Sequence, residues 1–273
     1  MMNEQELSKL SIHEGIMAFV DVLGLSRFLK TNTPISNEDI NKIEKLNAQI
    51  FFFESSLGHH GRFAKQVREY QTPYEGGDWG ALSYSDNVSI FISGVNSIDS
   101  IKQLKGLFEI LLCQLAIFQY ESASDWKNNG FENFLMRGGI AFGYGYISEN
   151  LVTGPAHLQA YNIEQSDPYP RIVIDQKIFE ILDKSELEHK FLIIDCYGTV
   201  FIDYLEAWDT GDLQQLLRLR EFVSENITKT TGDILLKYQW TARYYNYHCK
   251  RHGLMNCLIP NFEISDECFK KLE

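Results

Sequence analysis

The order of apolar patterns predicts an α/β (α+β) fold: a mixed β-sheet with ferredoxin-like connections, helices packed largely on one face, and a C-terminal helical appendage. Short apolar runs bounded by turn residues alternate with helix-periodic stretches in the order βα, ββ, α, ββ, α, β. Beyond about residue 204 the periodicity is helical only, which divides the chain into a core, 1–204, and an appendage, 205–273. A length of 273 residues, 44% hydrophobic and 13% aromatic with 6 prolines, suffices to bury a large core.

Residues 16–23 (IMAFVDVL) read as a buried strand that ends at Gly24 and contains one acid, Asp21. Ile40, Ile43, Leu46, Ile50, Phe53 and Leu57 recur at helical spacing, and 58–79 is a polar, glycine-bearing loop. Two strands, 81–84 and 88–92, flank Ser85-Asp86-Asn87, which places Asp86 at a hairpin tip. A wide apolar stripe marks a helix over 98–120. Strands follow at 134–142, 144–147 and 151–153, and Gly154-Pro155 opens a helix over 155–166. A strand at 171–174, a short helix from 175 to about 182, and strands near 191–196 and 199–204 complete the core. Helices from Gly211 onward and over 234–248 form the tail.

A net charge of −12 disfavours nucleic acid as a partner, and an acidic chain that binds a triphosphate must recruit cations and a few placed basic side chains. The 5 cysteines form no C-x-x-C pair, no apolar run approaches membrane-spanning length, and the first residues carry no secretory pattern, so a cytoplasmic location is expected. The run from His248-Cys249 through His252 to Cys257 invites a zinc reading, but its spacing matches no standard site and it reads as a helix end.

Asp21 and Asp86 converge if their strands are sheet neighbours, and two such carboxylates suit Mg²⁺ or Mn²⁺ with triphosphate oxygens completing the shell. Successive backbone N–H groups in the turn after Asp21 favour phosphate. FVDVLGLS (Phe19 to Ser26), YSDNVSIF (Tyr84 to Phe91) and MRGGIAFG (Met136 to Gly143) resemble, in order, the first metal strand and phosphate turn, the metal hairpin and the arginine-glycine strand of class III nucleotidyl cyclases. GPAHLQAYNIE (Gly154 to Glu164) falls where that family begins its dimer-face helix. The resemblance implies a class III cyclase-like sheet, Asp21, Asp86 and the Val22 backbone as ligands of two divalent cations, and Val22, Leu23, Gly24, Leu25 and Ser26 as the phosphate turn. It also implies Arg137 on the β- or γ-phosphate, and a homodimer with shared active sites.

The family's purine-reading lysine and aspartate fall on Leu82 and Leu151, and its transition-state asparagine and arginine fall on Leu158 and Asn162. With AYNIE, YPRIVID (Tyr169 to Asp175) and KYQWTARYYNYH (Lys237 to His248), these losses make the chain similar to the pyrimidine cyclases of Pycsar antiphage defence. That similarity implies UTP or CTP as substrate, cyclic UMP or cyclic CMP as product, and an effector reached through the cyclic nucleotide rather than by contact. Tyr84, Gln159, Tyr161 and Asn150 are candidates to read the smaller base. Arg171 either replaces the missing transition-state arginine or pairs with an acid on the sheet. The tail aromatics Trp240, Tyr244, Tyr245 and Tyr247 suit bracing a dimer or covering the site. A catalytically inactive nucleotide- or partner-binding module and a palm-type nucleotidyltransferase are the competing readings.

Overall fold

The computed structural model describes residues 13–23, 37, 40, 41, 44, 48, 78–84, 87–93, 100–125, 133–148, 151–182, 189–208, 212–263 and 268–272. In chain order the elements are β1 (His13–Leu23), β2 (Asp78–Tyr84), β3 (Asn87–Ser93), α1 (Ser100–Ser124), β4 (Leu135–Ser148), β5 (Leu151–Thr153) and α2 (Pro155–Ser166). There follow β6 (Ile172–Ile174), α3 (Lys177–Ile181), β7 (Leu192–Asp195), β8 (Val200–Ile202), α4 (Leu213–Lys229), α5 (Gly232–Arg251) and β9 (Phe269–Lys271). Of the helix predicted from Asn37 to about Leu57, the described residues 37, 40, 41, 44 and 48 are helical and the rest lie outside the described set, as does nearly all of the 58–79 loop. Among the described residues no helix is long and apolar enough to cross a membrane.

One 9-stranded sheet runs β2-β3-β1-β4-β6-β8-β7-β9, with β5 hairpinned onto β4. Among the described strands only the β4–β6 pair is parallel, so the sheet is mixed as predicted. The two halves predicted for β4 are one continuous strand, because its glycines keep ladder partners on β1: Gly143 pairs with Gly15 and Gly145 with His13.

The continuous apolar run of β1 has a direct cause: both of its faces are covered. Residues opposite one another on a ladder share a face, so Met17, Phe19 and Asp21 stand with Ala141, Gly139 and Arg137 of β4 and with Phe91, Ser89 and Asn87 of β3. That face meets α2, where Met17, Phe19, Phe91 and Ala141 pack with Ala156 and Ala160. Ile16, Ala18, Val20 and Val22 point the other way, into a core shared with Leu107, Phe108, Leu111 and Leu115 of α1. Helices therefore lie on both faces, which corrects the expectation of one; runs buried on both sides carry no alternation from which to count layers.

The seat of α2 depends on Gly139. A Cβ there would lie 2.2 Å from the Ala160 carbonyl oxygen and 2.8 Å from Ile163 Cβ, so helix and strand approach only because no side chain intervenes. Gly154 starts the helix at φ 119°, with a would-be Cβ 2.7 Å from the Tyr144 carbonyl oxygen, and Pro155 occupies the first turn. Gly139→Ala is expected to destabilise the protein by about 2 kcal/mol through overpacking against backbone. Chemical denaturation checks it, and an unchanged midpoint would show that α2 can move aside without cost.

The tail is more closely joined to the sheet than an appendage of helices implies. Val173 pairs with Phe201, which puts Phe201 on the α2 face, and Trp240 and Tyr244 of α5 close over it at 5.7 Å each. Beyond α5 the chain returns to add β9 to the edge of β7, and Phe269 packs against Trp240 and Tyr244. Trp240, Tyr244 and Tyr245 are thus core residues of their own chain. A three-residue strand is too short to leave a period in the sequence.

Candidate functional site

Asp21 sits at the end of β1 between Asn87 on β3 and Arg137 on β4, its direct partners in the two ladders. β1 and β3 are sheet neighbours, which is the condition for Asp21 and Asp86 to converge, but Asp86 itself lies outside the described residues; the side chain that the ladder does set beside Asp21 is Arg137. Arg137 Nε donates to Asp21 Oδ2 at 3.3 Å. The same nitrogen forms an ion pair with Glu164 Oε1, without a hydrogen bond of good direction, since its single N–H is turned to Asp21. Gln165 Nε2 donates to the other oxygen, Glu164 Oε2, at 2.6 Å.

Glu164 comes from α2, where Ala156, Ala160 and Glu164 form the buried stripe. Burial raises its pKa above the ordinary 4.5, and Arg137 beside it is the largest opposing influence. Lys237 of α5 lies within electrostatic reach of the group. Burial first, and Arg137 second, lower its pKa, while Asp21, Glu164 and Asp233 act the other way. Asp21, Arg137, Glu164 and Lys237, from β1, β4, α2 and α5, thus lie within electrostatic reach of one another.

Neither Glu164 nor Lys237 is among the residues the motifs single out for chemistry. Glu164 has a readable signal: a carboxylate four residues beyond Ala160, on the small-residue stripe of an amphipathic helix, must be buried and therefore paired. Lys237 has none, because its place depends on how the tail folds over the sheet.

A carboxylate kept charged at a cost to folding is expected to behave characteristically. A folded-state pKa raised above the unfolded value gives stability that is fully present below the unfolded value and is lost as pH rises through the folded one. Glu164→Gln removes that loss, so its melting temperature should equal or exceed wild type at pH 8, with the difference shrinking toward pH 5. A deficit of several degrees at pH 8 would show that the Arg137 pair outweighs the burial.

Other predicted residues are distributed as follows. Val22 and Leu23 follow Asp21 on β1, whereas Gly24, Leu25, Ser26 and Asn150 lie outside the described residues. Tyr84 ends β2, paired with Asn87. Gln159 and Tyr161 are exposed on α2, and the Tyr161 ring meets Phe19 edge-on at 5.5 Å. On the same face His157 Nε2 lies 3.3 Å from Ser89 Oγ, and burial lowers its pKa. The four positions that depart from the purine pattern are on this side too: Leu151 on β5 and Leu158 on α2 are exposed, as is Asn162, and Leu82 lies on β2.

Arg171 does not join the site. It is 4% exposed, with Nη1 2.7 Å from Asp195 Oδ2 and Nη2 2.8 Å from Asp167 Oδ2, and its guanidinium lies over the Phe201, Tyr169 and Trp240 rings. Of its two readings, pairing with an acid on the sheet is the one realised, by Asp195 of β7, and Asp167 at the end of α2 adds a second carboxylate. Its carbonyl accepts from Gly138 N, and Gln119 Nε2 of α1 donates to Met136 O, so the backbone on either side of Arg137 is pinned.

Asp21 offers hard carboxylate oxygens at a partly exposed strand end, the donor type that Mg²⁺ and Mn²⁺ take. Within the cluster the charges of Arg137 and Lys237 are offset by those of Asp21 and Glu164.

No family model matches the chain, and neither does any curated protein. Among solved structures, the adenylyl cyclase CyaB from P. aeruginosa is similar over 71% of this chain and 94% of its own, at 12% identity and a TM-score of 0.42. The guanylyl cyclase domain of the RhoGC fusion protein from the aquatic fungus Blastocladiella emersonii is similar over 71% and 96%, at 14% identity and a TM-score of 0.43. A class III adenylyl cyclase-like ATP-binding protein from Pseudomonas aeruginosa is similar over 84% of this chain and 43% of its own, at 11% identity and a TM-score of 0.44.

Proposed function

We propose that this chain is a pyrimidine nucleotide cyclase. It closes UTP, or less readily CTP, into the 3′,5′-cyclic monophosphate and releases pyrophosphate, serving as a source of second messenger in antiphage defence. The observation that supports the reading is the lateral pairing of Asp21 with Arg137, one acid and one fork of donors on adjacent strands, beneath a helix that brings Glu164 against the same arginine.

Asp21, the Val22 backbone and Asp86 would hold two Mg²⁺ or Mn²⁺ ions, which when bound lower the pKa of the ribose 3′-hydroxyl and neutralise the triphosphate. The 3′-oxygen attacks the α-phosphorus in line, its proton passes to solvent, and the bond to the β-phosphate bridging oxygen breaks. The phosphate turn from Val22 through Leu23, Gly24, Leu25 to Ser26 supplies backbone N–H groups. Arg137 exchanges its contact with Asp21 for a β- or γ-phosphate oxygen, and Glu164 keeps the guanidinium aligned during the exchange. Lys237 adds positive charge from the tail, which gives α5 a place in the site. Tyr84, Gln159 and Tyr161 stand around the base.

A second copy is proposed to dock on α2 and β5. Leu151, Leu158 and Tyr161 are 45%, 59% and 41% exposed, apolar side chains on β5 and α2 that suit a twofold contact. Leu158→Glu is expected to convert a dimer into a monomer on light scattering and to abolish turnover without lowering the melting temperature. A monomeric wild type would remove the shared-site part of the reading.

Base preference is tested by initial rates with UTP, CTP, ATP and GTP in the presence of Mn²⁺. A pyrimidine preference of about tenfold or more is expected from a pocket sized for one ring; faster turnover of a purine would overturn it.

A further inference from the structure

A second cluster of chemistry-bearing side chains lies away from Asp21, at the C-terminal end of α5. His248 and His252 are one helical turn apart, with ring centroids 4.4 Å from each other. Glu206, in the 3₁₀ turn Tyr204–Ala207 that follows β8, faces both. Its Oε1 lies 3.0 Å from His252 Nε2 and 3.5 Å from His248 Nδ1. One ligand atom from each of the three can be chosen so that all lie within 4.8 Å of one another. Ligands about 2.0–2.2 Å from a tetrahedral zinc ion are separated by about 3.3 Å, so little movement is needed.

His248 carries the case. It is 1% exposed, and neither ring nitrogen has a hydrogen-bond partner among the described residues. A buried imidazole with both nitrogens unsatisfied is rare. It borders a cavity of about 450 Å³ that Cys113, Lys190 and Trp208 also line and that reaches Glu206 and His252. Burial holds His248 down to about 4 and also lowers His252.

We propose that Glu206, His248 and His252 form a binding site for Zn²⁺ or a similar first-row divalent ion, with a fourth position open to the cavity. Two imidazole nitrogens and a carboxylate oxygen favour such ions over Mg²⁺. Two cations border the site: Lys271 Nζ lies 2.9 Å from Asp203 Oδ2 and 3.7 Å from Glu206 Oε2, and Arg251 has Nη1 3.3 Å from Asp203 Oδ2 and Nη2 3.4 Å from His252 Nε2, so Asp203 remains to hold both when an ion takes Glu206. Arg251 Nη2 also forms an ion pair with Glu206, which the incoming ion would replace. A bound ion joins the end of α5 to the turn after β8 and thereby fastens the tail on the sheet.

The test uses full-length protein stripped with chelator, dialysed against Zn²⁺ in the presence of millimolar Mg²⁺, and analysed for metal by mass spectrometry. One zinc per chain is expected, with a rise in melting temperature that EDTA reverses. His252→Ala alters a partly exposed residue and should fold, yet lower zinc affinity by about tenfold or more. Asp21→Asn and Cys113→Ser should each keep the full stoichiometry. With Co²⁺, wild type should show visible d–d absorption that His252→Ala loses. Absence of stoichiometric zinc, or the same zinc in His252→Ala, overturns the site; loss on Cys113→Ser or Asp21→Asn reassigns the ion. None of these outcomes depends on cyclase turnover.

Discussion

Asp21→Asn should lower turnover by about a thousandfold or more, equivalent to about 4 kcal/mol of transition-state stabilisation. Asparagine keeps an oxygen to accept from Arg137 Nε but has lost the charge that holds a divalent ion, so the fold is spared while the chemistry is not. The melting temperature should stay within a few degrees of wild type, because the partly exposed Asp21 also leaves Arg137 with Glu164 as an anionic partner. Activity above about a tenth of wild type would remove Asp21 from the metal site. A collapse of the melting temperature would make it a structural residue instead. Asp86→Asn belongs in the same series and should behave alike.

Arg137→Ala should fail in both respects. Removing the guanidinium takes away the fork that neutralises phosphate, at a cost of about a hundredfold in turnover. It also leaves Glu164, with a side chain at 0% exposure, without its closest cation. Breaking a buried pair from one side is the expensive kind of loss, here up to about 3 kcal/mol, with Lys237 remaining near enough to limit it. Arg137→Lys separates the two roles: stability should largely return, whereas turnover should not, because a point charge cannot make the bidentate contact. Full activity in Arg137→Lys would mean that charge alone is needed at this position.

Asp21 and Arg137 are legible in the sequence for a shared reason. An acid inside an apolar strand and an arginine beside a glycine pair are local departures from pattern, and each needs a functional or paired explanation. The register that places them side by side is not legible, since it depends on which strands neighbour β1. Gly139 shows the same division: the glycine is visible in the sequence, but that it admits the Ala160 carbonyl follows only from the seat of α2. Arg171 shows the same limit. The sequence leaves open whether it serves the site or pairs with an acid, and only the return of β7 supplies the Asp195 carboxylate that decides it.

The tail is the least legible part. Its helices are readable from period, but β9 spans three residues, and the contacts of Trp240 and Tyr244 with Phe201 join elements about forty residues apart. Lys237 and His248 take their surroundings from that fold-back. The histidine spacing His248 to His252 is visible, but the third donor, Glu206, is far from it in the chain, so no one-dimensional metal pattern could include it. Both of the sites therefore combine a local motif with one residue that only the tertiary fold delivers.

If the cluster at Asp21 and Arg137 cyclises a nucleoside triphosphate, the identity of the product reveals it. Purified wild type and the Asp21→Asn, Asp86→Asn double variant are incubated with each of the four triphosphates and Mn²⁺, and the products are identified by mass spectrometry. The account predicts cyclic UMP or cyclic CMP with an equal amount of pyrophosphate from wild type, and none from the double variant. A dinucleotide product, or no cyclic product from any of the four, would contradict it.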